Sequence, residues 1–455
     1  MYYRDIFLVP LYLLIFYAIA FAVRPHYTNA YTKKYFIPAL TVKFAGALAL
    51  GLIYRFYYGG GDTFNYYNHA SVMYEAFTNS FSAGLKLLFS HGEYDPETSA
   101  YAARLYWYKG AEAEFFLVKI ASVASLFAFN TYAVMALMFA VFSFSGAWAM
   151  YMAFMHISPL LYKRLAYACL FIPSVFFWGS GLMKDTICIG ALGWLFYAFY
   201  TGTIQKRHIL RSVIIGFLAA YLVYSLKVYI LLSFLPPALI WIFVENSNRI
   251  RNKTLRVLLR PLFLAFGAGA AYIGATNLTA GDSEYDVSKI GERTKITQEY
   301  LFRRTKEKGS AYNIGTFDGS MSSIVQVAPQ AVAVSLFRPF LWEAKSPIML
   351  LSALEASVFL YMTLTLFWRT GLVRSFKLIA ATPILTFCFI FAIVLAVGVG
   401  TNSGNFGTLV RYKIPLMPFY MAALYIMTEK ATSLRKNKTK PVVRRPKPIF
   451  AAHSA

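Results

Sequence analysis

The stretch Gly59-Gly60-Gly61-Asp62-Thr63-Phe64-Asn65-Tyr66-Tyr67-Asn68-His69-Ala70 follows an apolar run, 37–57, long enough to cross a membrane. Three glycines let the backbone take positive φ and approach a ligand closely. They deliver one carboxylate, Asp62, into a surround of amides and aromatic rings. Two readings fit the stretch alone. The glycines end a membrane helix and Asp62 caps the next one, or Asp62 is a reacting group at a membrane surface. Where the other unusual polar residues fall decides between them.

Working outward, the chain is strongly apolar. Of its 455 residues, 58% are hydrophobic and 18% aromatic, only 14% are charged, and mean hydropathy is +0.52. Soluble domains do not carry that composition, so the chain reads as an all-α polytopic membrane protein. The net charge of +24 would suit nucleic acid if the bases were clustered on a polar surface. They lie instead in loops between apolar runs, the habit of cytoplasmic loops, and no nucleic-acid partner is expected. Cys169, Cys188 and Cys388 sit inside apolar runs without pairing or metal spacing and read as small core residues. The apolar N-terminal stretch has no small-residue cleavage site and reads as a retained helix.

Apolar runs of near-spanning length fall at 6–23, 37–57, 131–153, 165–183, 187–200, 213–226, 230–244, 261–278, 348–368, 378–399 and 414–427, about eleven spans. Run 115–129 is short and carries Lys119, which suits an interfacial helix. The loops with Arg24, Lys33 and Lys34, with Lys163 and Arg164, and with Lys206, Arg207 and Arg211 belong inside. So do the loops of 249–260 and 369–377 and the C-terminal tail, and together these segments hold more than half of the 44 bases. The N-terminus is then outside and the C-terminus cytoplasmic, in a bacterial-type inner membrane. A transmembrane domain, 1–428, carries two large outer segments, 58–130 and 279–345. The basic tail, 429–455, is predicted to be disordered on the anionic leaflet. No internal repeat of the transporter kind is seen.

With sidedness assigned, charged residues gather at outer helix ends: Asp62, Lys184, Asp185, Lys227, Arg338, Arg411 and Lys413. Charge at membrane depth is expensive and tends to be functional. The set predicts a basic pocket with two carboxylates. Such a pocket suits transfer from a phosphate leaving group: the cations hold the phosphate and the charge that develops on it, and a carboxylate takes the proton of an attacking hydroxyl. Tyr66, Tyr67 and Trp342 offer flat faces for sugar rings, and the same residues also fit as interfacial anchors. The plainer readings are that Asp185 caps a helix beside Lys184, and that Arg338 and Lys227 snorkel to headgroups. Glu355, inside a span, reads as one side of an interhelix hydrogen bond.

Asp62 followed by Tyr66 and Ala70, the Pro173-Ser174 run ending in Asp185, and the late Arg411-Tyr412-x-x-Pro415-x-x-Pro418 together resemble the GT-C superfamily of membrane glycosyltransferases, over most of the chain. The resemblance implies a polyprenyl-phosphate or polyprenyl-diphosphate sugar donor. It implies Asp62 as the base that activates the acceptor, Asp185 beside the acceptor or a basic neighbour, and Arg411 and Lys184 at motif positions near the donor phosphate. Lys227, Arg338 and Lys413 join them on the chemical argument alone. Two spans precede Asp62 where the family usually has one, and no second acid adjoins it, so the requirement for a divalent metal stays open. The sugar and the acceptor, whether glycan, lipid or protein, stay open as well. A lipid-linked oligosaccharide polymerase would use the same pocket. A flippase for lipid-linked sugars would place its charges nearer the midplane.

Overall fold

The computed structural model describes residues 3–247, 290–306, 310–315, 318 and 320–439. The described residues are helical between their connections, with one isolated antiparallel bridge, Ala311 to Asn405. Among the described residues, seven helices are long and apolar enough to cross a membrane: Arg4–Tyr27, Lys33–Tyr57, Tyr132–Ile157, Lys184–Ile204, Ile209–Asn246, Pro347–Thr370 and Pro383–Asn402. The molecule is thus a helical membrane protein. The expected span 261–278 lies outside the described residues.

In chain order the elements that matter here are α1 (Tyr3–Tyr27), α2 (Lys33–Leu52, continued as a π-helix over Ile53–Tyr57), α3 (Asp62–Asn79), α4 (Phe81–Phe89), α5 (Ser99–Ala102), α6 (Glu112–Phe127) and α7 (Tyr132–Ile157). Next come α8 (Tyr162–Leu170), α9 (Pro173–Trp178), α10 (Lys184–Ala198) and α11 (Ile209–Ser247). Helix α11 is two legs joined at Lys227, whose φ of −153° and ψ of 75° break the helix. The ring of Phe199 lies 5.8 Å from Phe234 and 5.7 Å from Trp241, while the neighbouring Gly202 abuts Ser212. Both legs therefore flank the end of α10, and they run antiparallel. That matches the two short spans expected on either side of Lys227.

Run 165–183 does not form one helix. Pro173 has no N–H to continue the ladder, so α8 stops at Leu170 and the six-residue α9 begins afresh at Pro173. Backbone broken among membrane helices must find its partners within the protein. It does so through a part-buried carboxylate and a buried ammonium. Glu355, on α14 (Pro347–Thr370, in the numbering continued below), accepts hydrogen bonds from the N–H of Ser174 at 2.8 Å and from its hydroxyl at 2.7 Å. Lys43 of α2 donates to the carbonyls of Gly179 at 2.8 Å and Val175 at 3.4 Å, and to Ser143 Oγ at 2.9 Å. A carboxylate thus meets the positive end of α9 and an ammonium its negative end, as the helix dipole favours. At Gly46 any Cβ would come within 2.5 Å of the Phe176 carbonyl, so α2 and α9 touch through backbone.

Lys43→Met is expected to lower stability by about 1–3 kcal/mol, because it withdraws a charged donor from carbonyls that have no water to turn to. Thermal unfolding in detergent measures this. An unshifted midpoint would mean that α9 is held without Lys43.

The remaining described elements are α12 (Ile290–Lys306), α13 (Met321–Phe337), α14, α15 (Leu372–Ala381), α16 (Pro383–Asn402), α17 (Phe406–Tyr412) and α18 (Met417–Thr439). Three expectations shift. Run 378–399 is divided at Thr382-Pro383, with α15 a separate helix before it. Segment 279–345, expected as an outer loop, contains α13, whose second half packs antiparallel on α16: Ser335 Oγ donates to the Ala396 carbonyl at 2.8 Å, and Gly400 faces the Ala331 carbonyl. Helix α18 runs past the expected boundary at 428 to Thr439, and the tail from residue 440 lies outside the described residues. Helix α6 is too short to span, as expected, and lies against α3, with Lys119 Nζ on the Ser90 carbonyl at 2.6 Å.

Candidate functional site

The π-helical turn at the end of α2 places Tyr54 beneath the glycine run. Gly61 has φ 129° and ψ −163°, and a Cβ there would come within 2.9 Å of the Tyr54 ring, so only glycine fits. The chain then turns directly into α3, and Asp62 becomes its first residue, with its carboxylate in the favourable field of the helix N-terminus. Asp185 is the second residue of α10. Lys227 stands at the break between the legs of α11, and Arg411 near the end of the short α17. Asn405 starts α17 by accepting the Thr408 N–H at 2.9 Å.

These four charges form one chain. Arg411 Nη1 donates to Asp62 Oδ2 at 2.8 Å and Arg411 Nη2 to Asp185 Oδ2 at 3.3 Å, while Lys227 Nζ holds Asp185 Oδ1 at 2.5 Å. Exposure falls steeply along it. The Asp62 side chain is 51% exposed, Arg411 20%, and Asp185 and Lys227 are buried. Aromatic rings wall the chain in: Lys227 Nζ is 4.4 Å from the centroid of Tyr412, and the Arg411 guanidinium 5.7 Å from that of Trp178. Tyr54 Oη accepts from Arg411 Nη1 at 3.5 Å. Burial works against the charge of Arg411. Asp185, Tyr54 and Asp62 more than offset it, so the guanidinium stays protonated well above its usual range.

A cavity of about 470 Å³ opens at the exposed end of this chain. Asp62, Arg411, Tyr54 and Asn405 line it, with Trp178, Ile348 and Met349 as apolar members and Ser346 and Ser352 as hydroxyl neighbours of the last two. Arg411 Nε is buried and has no acceptor.

The other sequence-predicted residues lie elsewhere, each with its own partner. Lys184 is ion-paired with Glu114, and Arg338 with Glu343, which also accepts the Phe340 N–H at 2.8 Å. The buried Lys413 donates to the Arg338 carbonyl at 3.3 Å. Tyr66 is buried with its ring 4.9 Å from that of Trp107, and Tyr67 donates to the Asn130 carbonyl at 2.9 Å. Trp342 is 81% exposed and stacked on Phe340 at 4.8 Å. The site differs from the expected basic pocket in one respect: its two cations are matched by its two carboxylates, and Lys184 and Arg338 are neutralised by acids of their own. Sequence reading missed Tyr54, Lys43 and these two counter-acids. Among the described residues no three His, Cys, Asp or Glu side chains stand together as a metal site.

Burial pushes Lys413 down to about 8, with Glu355 opposing. A lysine whose folded value lies below its unfolded one penalises the folded state at low pH, and the penalty fades as pH rises from about 8 to about 10.5. Lys413→Met removes this penalty together with the hydrogen bond to the Arg338 carbonyl, so its unfolding midpoint relative to wild type should be higher at pH 7 than at pH 10. A difference that does not change with pH would overturn this account of Lys413.

No family model, curated protein or solved structure matches the chain.

Proposed function

We propose that the chain is an integral membrane glycosyltransferase of GT-C type that takes a sugar from a polyprenyl-phosphate or polyprenyl-diphosphate donor, on the outer face of a bacterial-type inner membrane, in cell-envelope glycan synthesis. One observation carries the reading. Asp62 and Arg411, 349 positions apart in sequence, meet at a cavity whose lining joins their charges and several hydroxyls to the apolar Trp178, Ile348 and Met349. A phosphate borne on a lipid needs that pairing of chemistries.

In this reading the donor's phosphate lies against the Arg411 guanidinium where it lines the cavity, with its lipid beside Ile348 and Met349 and its sugar against Trp178 and Tyr54. The acceptor hydroxyl attacks the anomeric carbon from the face opposite the phosphate. As the new C–O bond forms, the bond from that carbon to the phosphate oxygen breaks, and its electron pair leaves with the phosphate. Asp62 takes the hydroxyl proton, and Arg411 stabilises the charge left behind. Asp185 and Lys227, too buried to meet substrate, position Arg411 from behind. The stereochemical outcome is inversion.

The test is glycosyl transfer by purified protein in liposomes from a panel of polyprenyl-phosphate and polyprenyl-diphosphate sugars, beside Asp62→Asn and Arg411→Ala. New glycosidic bonds that depend on both residues support the proposal. Movement of lipid-linked sugar across the bilayer with no new bond would make the chain a flippase and overturn it.

A further inference from the structure

A second cavity, of about 620 Å³, lies between α1, α2, α7 and α10, away from the charge chain. Its walls are apolar and aromatic: Phe16 and Val23 of α1, Phe36 of α2, Phe144 and Trp148 of α7, and Trp194 of α10. It does not close because α1 is held only at points. Tyr17 Oη pairs with Thr41 Oγ1 at 2.8 Å, and Trp148 Nε1 donates to the Tyr27 carbonyl at 3.1 Å. Most of the polar lining residues, His26, Asn29, His156 of α7 and Arg211 of α11, come from the loop end of α1 and the helix ends beside it, while Ser145 lies further along α7. Arg211 is exposed and has no acidic partner among the described residues.

Length and charge together identify an occupant. From His156 to Val141 along α7 the groove runs ~22 Å, and from His26 to Phe16 along α1 ~15 Å, at about 1.5 Å per residue. One leaflet of hydrocarbon is roughly 15 Å deep, half of a core of about 30 Å. The groove is thus as long as one acyl chain of one leaflet, and its charged end lies where that chain's headgroup would. An unpaired guanidinium with two imidazoles and an amide is an anion-binding set, and guanidinium suits phosphate. We propose that this groove is a binding site for one anionic phospholipid, with its phosphate on Arg211 and the two histidines and an acyl chain along Phe144, Trp148 and Trp194. The lipid completes the packing of α1 against the bundle. The site is separate from the cavity at Asp62 and does not depend on what that cavity does.

The full chain is reconstituted in nanodiscs of equal phosphatidylcholine and phosphatidylglycerol, released, and weighed intact by native mass spectrometry. The expected result is one phosphatidylglycerol retained per chain in preference to phosphatidylcholine. Arg211→Ala, at an exposed position, should lower that retention on the order of tenfold, and Ala20→Trp, which fills the groove wall, should abolish it. Equal retention of the two lipids, or retention of phosphatidylglycerol unchanged by Arg211→Ala, would overturn the proposal.

Discussion

Asp62→Asn is expected to slow transfer by about two to four orders of magnitude, while donor affinity and unfolding midpoint stay close to wild type. The amide keeps an oxygen for Arg411 Nη1 and keeps the shape of the first turn of α3, so the fold has little to lose at a side chain already half exposed. What disappears is the capacity to take a proton. Arg411→Ala should behave differently. It removes the proposed phosphate ligand, so KM for the donor rises along with the loss in kcat. It also leaves Asp62 without its partner and Asp185 with Lys227 alone, which lowers stability as well. The contrast between the variants is the informative reading. If Asp62→Asn turned over at the wild-type rate, the base would lie elsewhere, whatever Arg411→Ala did.

How much of this site could be read from sequence follows from how each residue signals itself. Asp62 sits behind three glycines, Asp185 and Lys227 interrupt apolar runs at their outer ends, and Arg411 precedes a proline-bearing turn. Each is a charge where hydropathy expects none, and that was enough to single out all four. The helical class and the break of α11 at Lys227 were legible for the same reason. Pairing was not. Whether Lys184 faces Asp62 or Glu114 depends on the packing of α6 against α3 and the entry to α10, and no spacing in the chain encodes that contact. The expected basic pocket with two carboxylates left out the acids that pair with Lys184 and Arg338, Glu114 and Glu343.

Lys43 shows the opposite failure. It lies ten residues into a run whose average hydropathy hides it, although a single lysine at mid-span is a strong signal taken alone. Read together with Pro173 and the glycines Gly179 and Gly181, it announces a broken helix in need of a cation at its carbonyl end. The span expected over 165–183 failed because run length was weighed above the proline.

Asp185→Asn should be the most destabilising conservative change in the molecule, costing roughly 3–5 kcal/mol. Asp185 is 2% exposed and carries two cations, Lys227 on Oδ1 and Arg411 on Oδ2. Asparagine has nearly the same shape but no charge. Arg411 would keep Asp62, whereas Lys227 would be left as a buried ammonium facing a neutral amide, with no counter-charge and the rings of Tyr412 and Tyr229 beside it. A buried pair gains from attraction about what it loses in desolvation, so the damage lies in removing one partner and not in lacking the pair. Lys227→Met in the Asp185→Asn background should therefore recover most of the lost stability, and the two changes should be strongly non-additive when unfolding midpoints in detergent are compared. Simple addition of the two losses would mean that Lys227 finds its stabilisation elsewhere. Recovery of stability need not bring recovery of turnover: the double variant keeps the bundle closed but no longer holds Arg411 from behind, so it separates what the charge chain does for the fold from what it does for the cavity at Asp62.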